Sequence, residues 1–238
     1  MTRIPFPSGH GIFETMRTEH SKIAELGRHM RRALSSASYF GFSLPDEESL
    51  RSEFAKVIGE EEYPIGRLRV CFSKDDYLLS YSQYLEEAEP ARLTFHSITS
   101  QADGLQYKTY PYDSHFAVLD EALMYGFDDA IVFNSRNEIT ETAIANIALF
   151  IEGRWVTPPI TAGVLPGVMR AVAIERCDID VAPVHISEVA SCDAALLLNS
   201  LKIARPVSHI GEYQLREMPE AHEKAAQIRE KVQYFSVS

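Results

Sequence analysis

At 238 residues, 45% of them hydrophobic and 24% charged, the chain can bury a full core in one large domain or two modest ones. Its formal net charge of -11 argues against nucleic acid or an anionic membrane as a partner, because no broad basic surface is left to meet phosphates, although a few pocket arginines could still hold a small anion. Three cysteines, Cys71, Cys177 and Cys192, lack metal-ligand spacing and fit free thiols in a reducing compartment; with no export-like apolar stretch and no run near the ~20 residues that span a bilayer, the expected location is cytoplasmic.

Taken in chain order, Gly11 to Arg17 alternates like a strand, and Leu26 to Phe40 carries apolar residues at helical spacing until Gly41 and Pro45 stop it. Pro45-Asp46-Glu47-Glu48 opens a second helix reaching about Ile58, and Arg67 to Phe72 reads as a strand. These elements predict a small α/β domain over residues 1–88. The acidic stretch Leu85 to Pro90 has linker composition, and a strand from Arg92 to Ile98 begins a larger domain over residues 91–238. There, a polar turn at Gln101 to Gly104 leads to Lys108, followed by a helix from Asp113 to Tyr125 and a strand from Ala130 to Asn134 that turns through Glu138. Ala145 to Ile151 and Trp155 to Thr157 form a hairpin closed at Glu152-Gly153. A loop rich in Pro and Gly, a helix from Pro166 to Arg176, an apolar strand from Ala194 to Leu198 and a charged helix complete the chain. Antiparallel strands with segregated helices predict an α+β class.

Three features carry chemistry in a fixed order. Lys108, between Tyr107 and Tyr110 at the start of an apolar helix, is an amine whose partial desolvation would favour the neutral nucleophile. Glu141, in Thr140-Glu141-Thr142-Ala143-Ile144-Ala145-Asn146, is a carboxylate able to face a protonated ring nitrogen; read locally and alone it is more often a strand-edge glutamate or a turn cap. Gly167-Val168-Met169-Arg170, after Pro166, opens a helix whose N–H groups and dipole suit an anion. Arg32 could add a bidentate charge to that anion, and Ser200 a hydroxyl. Amine, carboxylate and anion cradle are the three requirements of pyridoxal phosphate, which needs a Schiff-base lysine, a protonated ring nitrogen and a bound phosphate. Tyr112 could hydrogen-bond the cofactor's phenolic oxygen or simply the backbone, Phe13 could line a substrate pocket or the core, and Asn146 would fix the backbone around Glu141. No metal site is suggested.

With these motifs in place, the chain resembles the fold-type IV pyridoxal-phosphate enzymes, the group of branched-chain aminotransferases, D-amino acid aminotransferases and 4-amino-4-deoxychorismate lyases. The likeness runs from Gly9-His10-Gly11-Ile12-Phe13-Glu14 through His29-Met30-Arg31-Arg32, Lys108-Thr109, Thr140 to Asn146 and Gly167 to Arg170, to Asn199-Ser200-Leu201 and Arg205-Pro206-Val207. It implies a D-amino acid aminotransferase-like fold of a small and a larger domain with the cofactor between them, and a homodimer whose partner helps form the substrate pocket. It also implies Lys108 as the Schiff-base lysine, Glu141 on the ring nitrogen, and Arg32, Val168, Met169 and Ser200 on the phosphate. One departure bears on substrate: Ser73-Lys74-Asp75-Asp76 is short and acidic where relatives carry an arginine and a glycine-containing loop for a carboxylate. Arg17, Lys202 and Arg205 are the candidates to take that task. Three functions follow. Favoured is a lyase making 4-aminobenzoate, a folate-biosynthesis precursor, and pyruvate from 4-amino-4-deoxychorismate, because Leu198 to Leu201 and Arg205 to Val207 look closer to the lyase pattern. The alternative is an aminotransferase for branched-chain or D-amino acids, and the last a cofactor-binding or interaction protein without catalysis.

Overall fold

A computed structural model of the chain describes residues 5–74, 76–96 and 106–237. The chain divides into two compact units, each built from separated segments. The first takes Met1–Glu86, Tyr107–Tyr112 and Gln233–Ser238, and the second Glu87–Gln106 and Asp113–Val232. The cut at Glu86/Glu87 lies within the acidic stretch, but the lysine segment, which interrupts the second unit in sequence, and the C-terminus, which follows it, join the first unit.

The first unit contains β1 (Gly11–Glu19), β2 (Lys22–Ala24), α1 (Leu26–Phe40), α2 (Glu47–Glu60), β3 (Ile65–Phe72) and β4 (Tyr77–Gln83). Its sheet runs in the order Tyr234–Phe235, β2, β1, β3, β4, with Thr109–Tyr110 also pairing β1. Period-two alternation sends Ile12, Met16, Leu68, Val70 and Phe72 into one core with Leu26, Met30, Ala33 and Ala37 of α1 and Leu50, Phe54 and Ile58 of α2. Asp46 caps α2 by accepting from the Ser49 N–H at 2.9 Å, and Gly41 ends α1 in the left-handed region at φ 70. Phe13, Thr15 and Arg17 occupy the other face of β1, directly opposite Cys71, Arg69 and Arg67 of β3.

The second unit holds β5 (Ala91–Phe95), α3 (Asp113–Met124), β6 (Asp129–Phe133), β7 (Ile139–Thr142), β8 (Asn146–Ile151), β9 (Arg154–Thr157), α4 (Val168–Arg176), β10 (Cys192–Asn199), β11 (Ile203–Ile210) and α5 (Met218–Lys231). Its sheet runs Asp180–Val181, β9, β8, β10, β11, β5, β6, β7. β11 with β5 and β5 with β6 are parallel, so the larger sheet is mixed rather than wholly antiparallel. Leu93, Ile131, Ile147, Leu149, Leu197 and Val207 lie at the centre of its core, and α4 and α5 pack against β10 and β11. The polar turn expected at residues 101–104 lies outside the described residues. Among the described residues no helix is long and apolar enough to cross a membrane, and no cluster of metal-ligating side chains occurs.

Candidate active site

Lys108 is carried by an extended segment laid along β1. The Phe13 N–H donates to the Lys108 carbonyl at 2.9 Å, and Tyr110 and Thr109 pair with Gly11 and Ile12. Gly11 permits that approach, since a Cβ there would sit 2.1 Å from the Phe72 carbonyl oxygen and 2.5 Å from the Tyr110 hydroxyl. The Lys108 Nζ lies 4.4 Å from the Phe13 ring centroid and 4.9 Å from that of Tyr112, and these two rings meet edge to face at 5.1 Å. Tyr107, one residue earlier, stacks on Tyr39 at 4.3 Å. The amine is thus walled by aromatic faces that keep water from one side.

Arg32 stands on the helix side of the same unit. Its Nε and Nη2 donate side-on to the two oxygens of Glu14 at 2.8 and 2.6 Å, and His29 Nδ1 lies 2.6 Å from Glu14 Oε2. Burial would raise the Glu14 carboxyl, but the Arg32 guanidinium and the His29 bond outweigh it and hold the group at about 2.

Glu141, on β7 of the second unit, is fixed by two donors. Asn146 Nδ2 reaches Glu141 Oε2 at 2.9 Å and the Leu165 carbonyl at 3.0 Å, while the Leu165 N–H reaches the same carboxylate oxygen at 3.3 Å. The turn joining Glu141 to Asn146 is anchored from below by buried Asp129, which accepts from Thr142 Oγ1 at 2.8 Å and from the Ala130 and Ala143 N–H groups at 2.8 and 2.9 Å. Desolvation pushes the Asp129 carboxyl up to about 6 against those donors. Gly167, the N-cap of α4, has no side chain to offer the helix's first N–H groups, and a Cβ there would fall 1.7 Å from Asn146 Oδ1. The helix therefore starts at Val168, with no acidic residue in its first turn to occupy the positive end of its dipole. Arg170, in that turn, is 5% exposed; it donates to the Pro158 carbonyl at 2.7 Å, while its Nε has no partner. Asn199 Oδ1 accepts from the Leu201 and Lys202 N–H groups, and Asn199 Nδ2 donates to the Ile144 carbonyl at 3.2 Å, which ties the turn bearing Ser200 to the turn after Glu141.

The expected residues thus fall into two groups. Phe13, Arg32, Lys108 and Tyr112 belong to the first unit, and Glu141, Asn146, Val168, Met169 and Ser200 to the second. The three cations named for substrate carboxylates are buried in ion pairs instead. Arg17 donates to Glu19 at 2.6 Å and to Glu86 at 2.8 Å. Lys202 pairs with Glu87, and Arg205 meets Glu87 at 2.6 Å and Asp128 at 3.0 Å. A cation absent from the sequence reading is better placed: the Arg69 guanidinium lies over Phe13, the ring that also faces Lys108, at 5.6 Å, and over Phe6 at 4.9 Å. Arg69 is buried, with Arg67 two residues before it on the same face, and desolvation lowers the pKa of both. Alternation along β3 was the available signal, since every second residue from Arg67 to Cys71 is polar or small.

These groups suit pyridoxal phosphate: an aromatic-walled amine, a carboxylate held by two donors, and a glycine-opened, uncapped helix with a buried cation in its first turn. A family model described as amino-transferase class IV matches residues 11–210. A Schizosaccharomyces pombe protein named "Putative aminodeoxychorismate lyase" is 23% identical over 201 residues, which is 80% of this chain and 86% of that one. A Legionella pneumophila structure titled as a putative 4-amino-4-deoxychorismate lyase superposes with a TM-score of 0.82 at 22% identity, covering 93% of this chain and 91% of its own. The PLP-bound form of a hypothetical aminotransferase from Mycobacterium tuberculosis superposes with a TM-score of 0.83 at 18% identity, over 93% and 88%. At these identities the superpositions show the fold.

Proposed function

The chain belongs to the amino-transferase class IV family, and from that premise we propose that it is a pyridoxal-phosphate-dependent lyase converting 4-amino-4-deoxychorismate to 4-aminobenzoate and pyruvate. The observation that carries this reading is the likeness to two proteins named for that activity, which runs along most of both chains in each comparison. Pyridoxal phosphate, when bound, supplies an electron sink for the pair left when a bond to the substrate carbon breaks.

The side chains divide the work. Lys108 is the residue that would hold the cofactor, and its amine would take the proton from the substrate's C4. Phe13 and Tyr112 shield its Nζ from water on one side. Glu141, oriented by Asn146 and the Leu165 N–H, offers a fixed negative charge to the protonated ring nitrogen. In the second unit the first N–H groups of α4, at Val168 and Met169, and Ser200 are the candidates for the phosphate, and in the first unit Arg32 is. Arg69 receives a substrate carboxylate, a task its burial strengthens because a guanidinium out of water gains more from an anion. Loss of the C4 proton, cleavage of the carbon–oxygen bond to the three-carbon fragment and protonation of that fragment on carbon give both products without oxidant or reductant.

A second reading, an aminotransferase for a branched-chain or D-amino acid, draws for its reaction type on the likeness to the M. tuberculosis protein, titled as a hypothetical aminotransferase with no substrate named. There Lys108 would take the proton from the amino acid's α-carbon. The two readings separate in one assay. The protein with pyridoxal phosphate and 4-amino-4-deoxychorismate is expected to release 4-aminobenzoate and pyruvate in equal amounts. Absence of both, with a keto acid formed from an amino acid instead, would establish the second.

A further inference from the structure

Glu14 occupies an unexpected position. It lies on the helix side of β1 between Ile12 and Met16, in a layer that is mainly apolar, and is 2% exposed. A buried carboxylate is costly unless its oxygens are met, and a salt bridge kept only for stability is often equalled by packed apolar side chains. Here both oxygens are used. Arg32 engages them side-on through Nε and Nη2, and His29, three residues earlier on the same face of α1, adds a bond to Oε2. Because Glu14 is ionised it can only accept, so the His29 proton sits on Nδ1. Burial keeps the His29 ring neutral, and Lys108 is among the charges acting on it, so this cluster and the amine share one electrostatic neighbourhood within the first unit. Arg32 is the most exposed of the three side chains, at 12% against 3% for Glu14 and 0% for His29. With its Nε edge fixed by Glu14, a planar guanidinium has its Nη1 edge directed away from the carboxylate at a set angle.

We propose that Glu14 and His29 are positioning residues that form a buried clamp, presetting the Arg32 guanidinium for a phosphate group; in this protein that group is the cofactor's, so the inference rests on the reading above. The clamp removes most of the rotamer freedom Arg32 would otherwise lose on binding.

The test compares two probes, pyridoxal phosphate and phosphate-free pyridoxal, titrated into wild type and E14Q apoprotein, with inorganic phosphate as a third ligand read by thermal shift. E14Q is expected to weaken pyridoxal phosphate about 10-fold or more, as loss of charge-assisted bonds does, and to leave pyridoxal within about 2-fold. Equal weakening of both probes, or of neither, would overturn the clamp, since a merely structural role cannot tell them apart. Should E14Q fail to fold, H29L reads the same ratio with the Glu14–Arg32 pair intact, and an unchanged ratio there also overturns it. If wild type binds no pyridoxal phosphate, the functional reading fails; the clamp then survives only if inorganic phosphate stabilises wild type and not E14Q.

Discussion

A carboxylate that must stay charged beside a pyridinium needs donors of its own, and Glu141 has them in Asn146 and the Leu165 N–H. E141Q keeps the shape and removes the charge. We expect it to retain the visible band of bound cofactor but to lose turnover by roughly 10- to 100-fold, the worth of a buried charge pairing; an unaltered kcat would remove the proposed role. Asp129, beneath the same turn, makes a pH prediction. Its carboxyl is pushed up to about 6 in the folded chain against an ordinary 3.8, so between those pH values the folded state holds a proton there that the unfolded state has given up. Its contribution to stability is therefore greatest below the ordinary value and is lost as pH rises through about 6. D129N can still accept the Ala130 and Ala143 N–H groups on its amide oxygen, and should gain on wild type by on the order of 2 kcal/mol between pH 4 and pH 7. Melting curves at both pH values check this, and a parallel pH response of the two proteins would refute it. Lys108 and Glu141 could be singled out in the sequence as candidates because their order matches a chemical requirement. The partners of Arg17, Lys202 and Arg205 were not, since Glu86, Glu87 and Asp128 lie roughly 70 to 120 positions away along the chain.

Helix α1 was readable from its apolar spacing and the glycine that ends it, and its bounds agree with the expectation. Helix α4 was expected one turn-edge earlier, from Pro166, and begins at Val168 because Gly167 serves as its N-cap. That glycine is required by contact rather than by backbone angle: its φ is -69, but a side chain would strike Asn146. G167A should displace Asn146, cost about 1–3 kcal/mol by overpacking and weaken pyridoxal phosphate, both readable by melting and titration. Cofactor affinity equal to wild type would mean the cradle is not built there. Strand β11 escaped the sequence reading because Pro206, opposite Leu196, stands within it, and proline argues against an interior strand. A shift in register against β5, between Val207 and His209, accompanies it.

At the scale of the molecule, the acidic stretch between the units is more than a spacer: Glu86 is bound into the first unit by Arg17, and Glu87 into the second by Lys202 and Arg205. The return of Tyr107–Tyr112 and Gln233–Ser238 to the first unit rests on short pairings, Thr109–Tyr110 with β1 and Tyr234–Phe235 with β2, that no local pattern announces. Leu123, Met124 and Tyr125 lie exposed together at the end of α3. With the family resemblance they lead us to expect a homodimer, and sedimentation should give about twice 26.8 kDa; a monomer at assay concentration would contradict that. The most direct test of the whole is the visible spectrum of the purified protein titrated with pyridoxal phosphate, beside K108A. We predict a saturable band in wild type that K108A lacks, and that 4-amino-4-deoxychorismate perturbs while amino acids do not bleach it. The same band in K108A, or none in wild type, would contradict a cofactor held by Lys108.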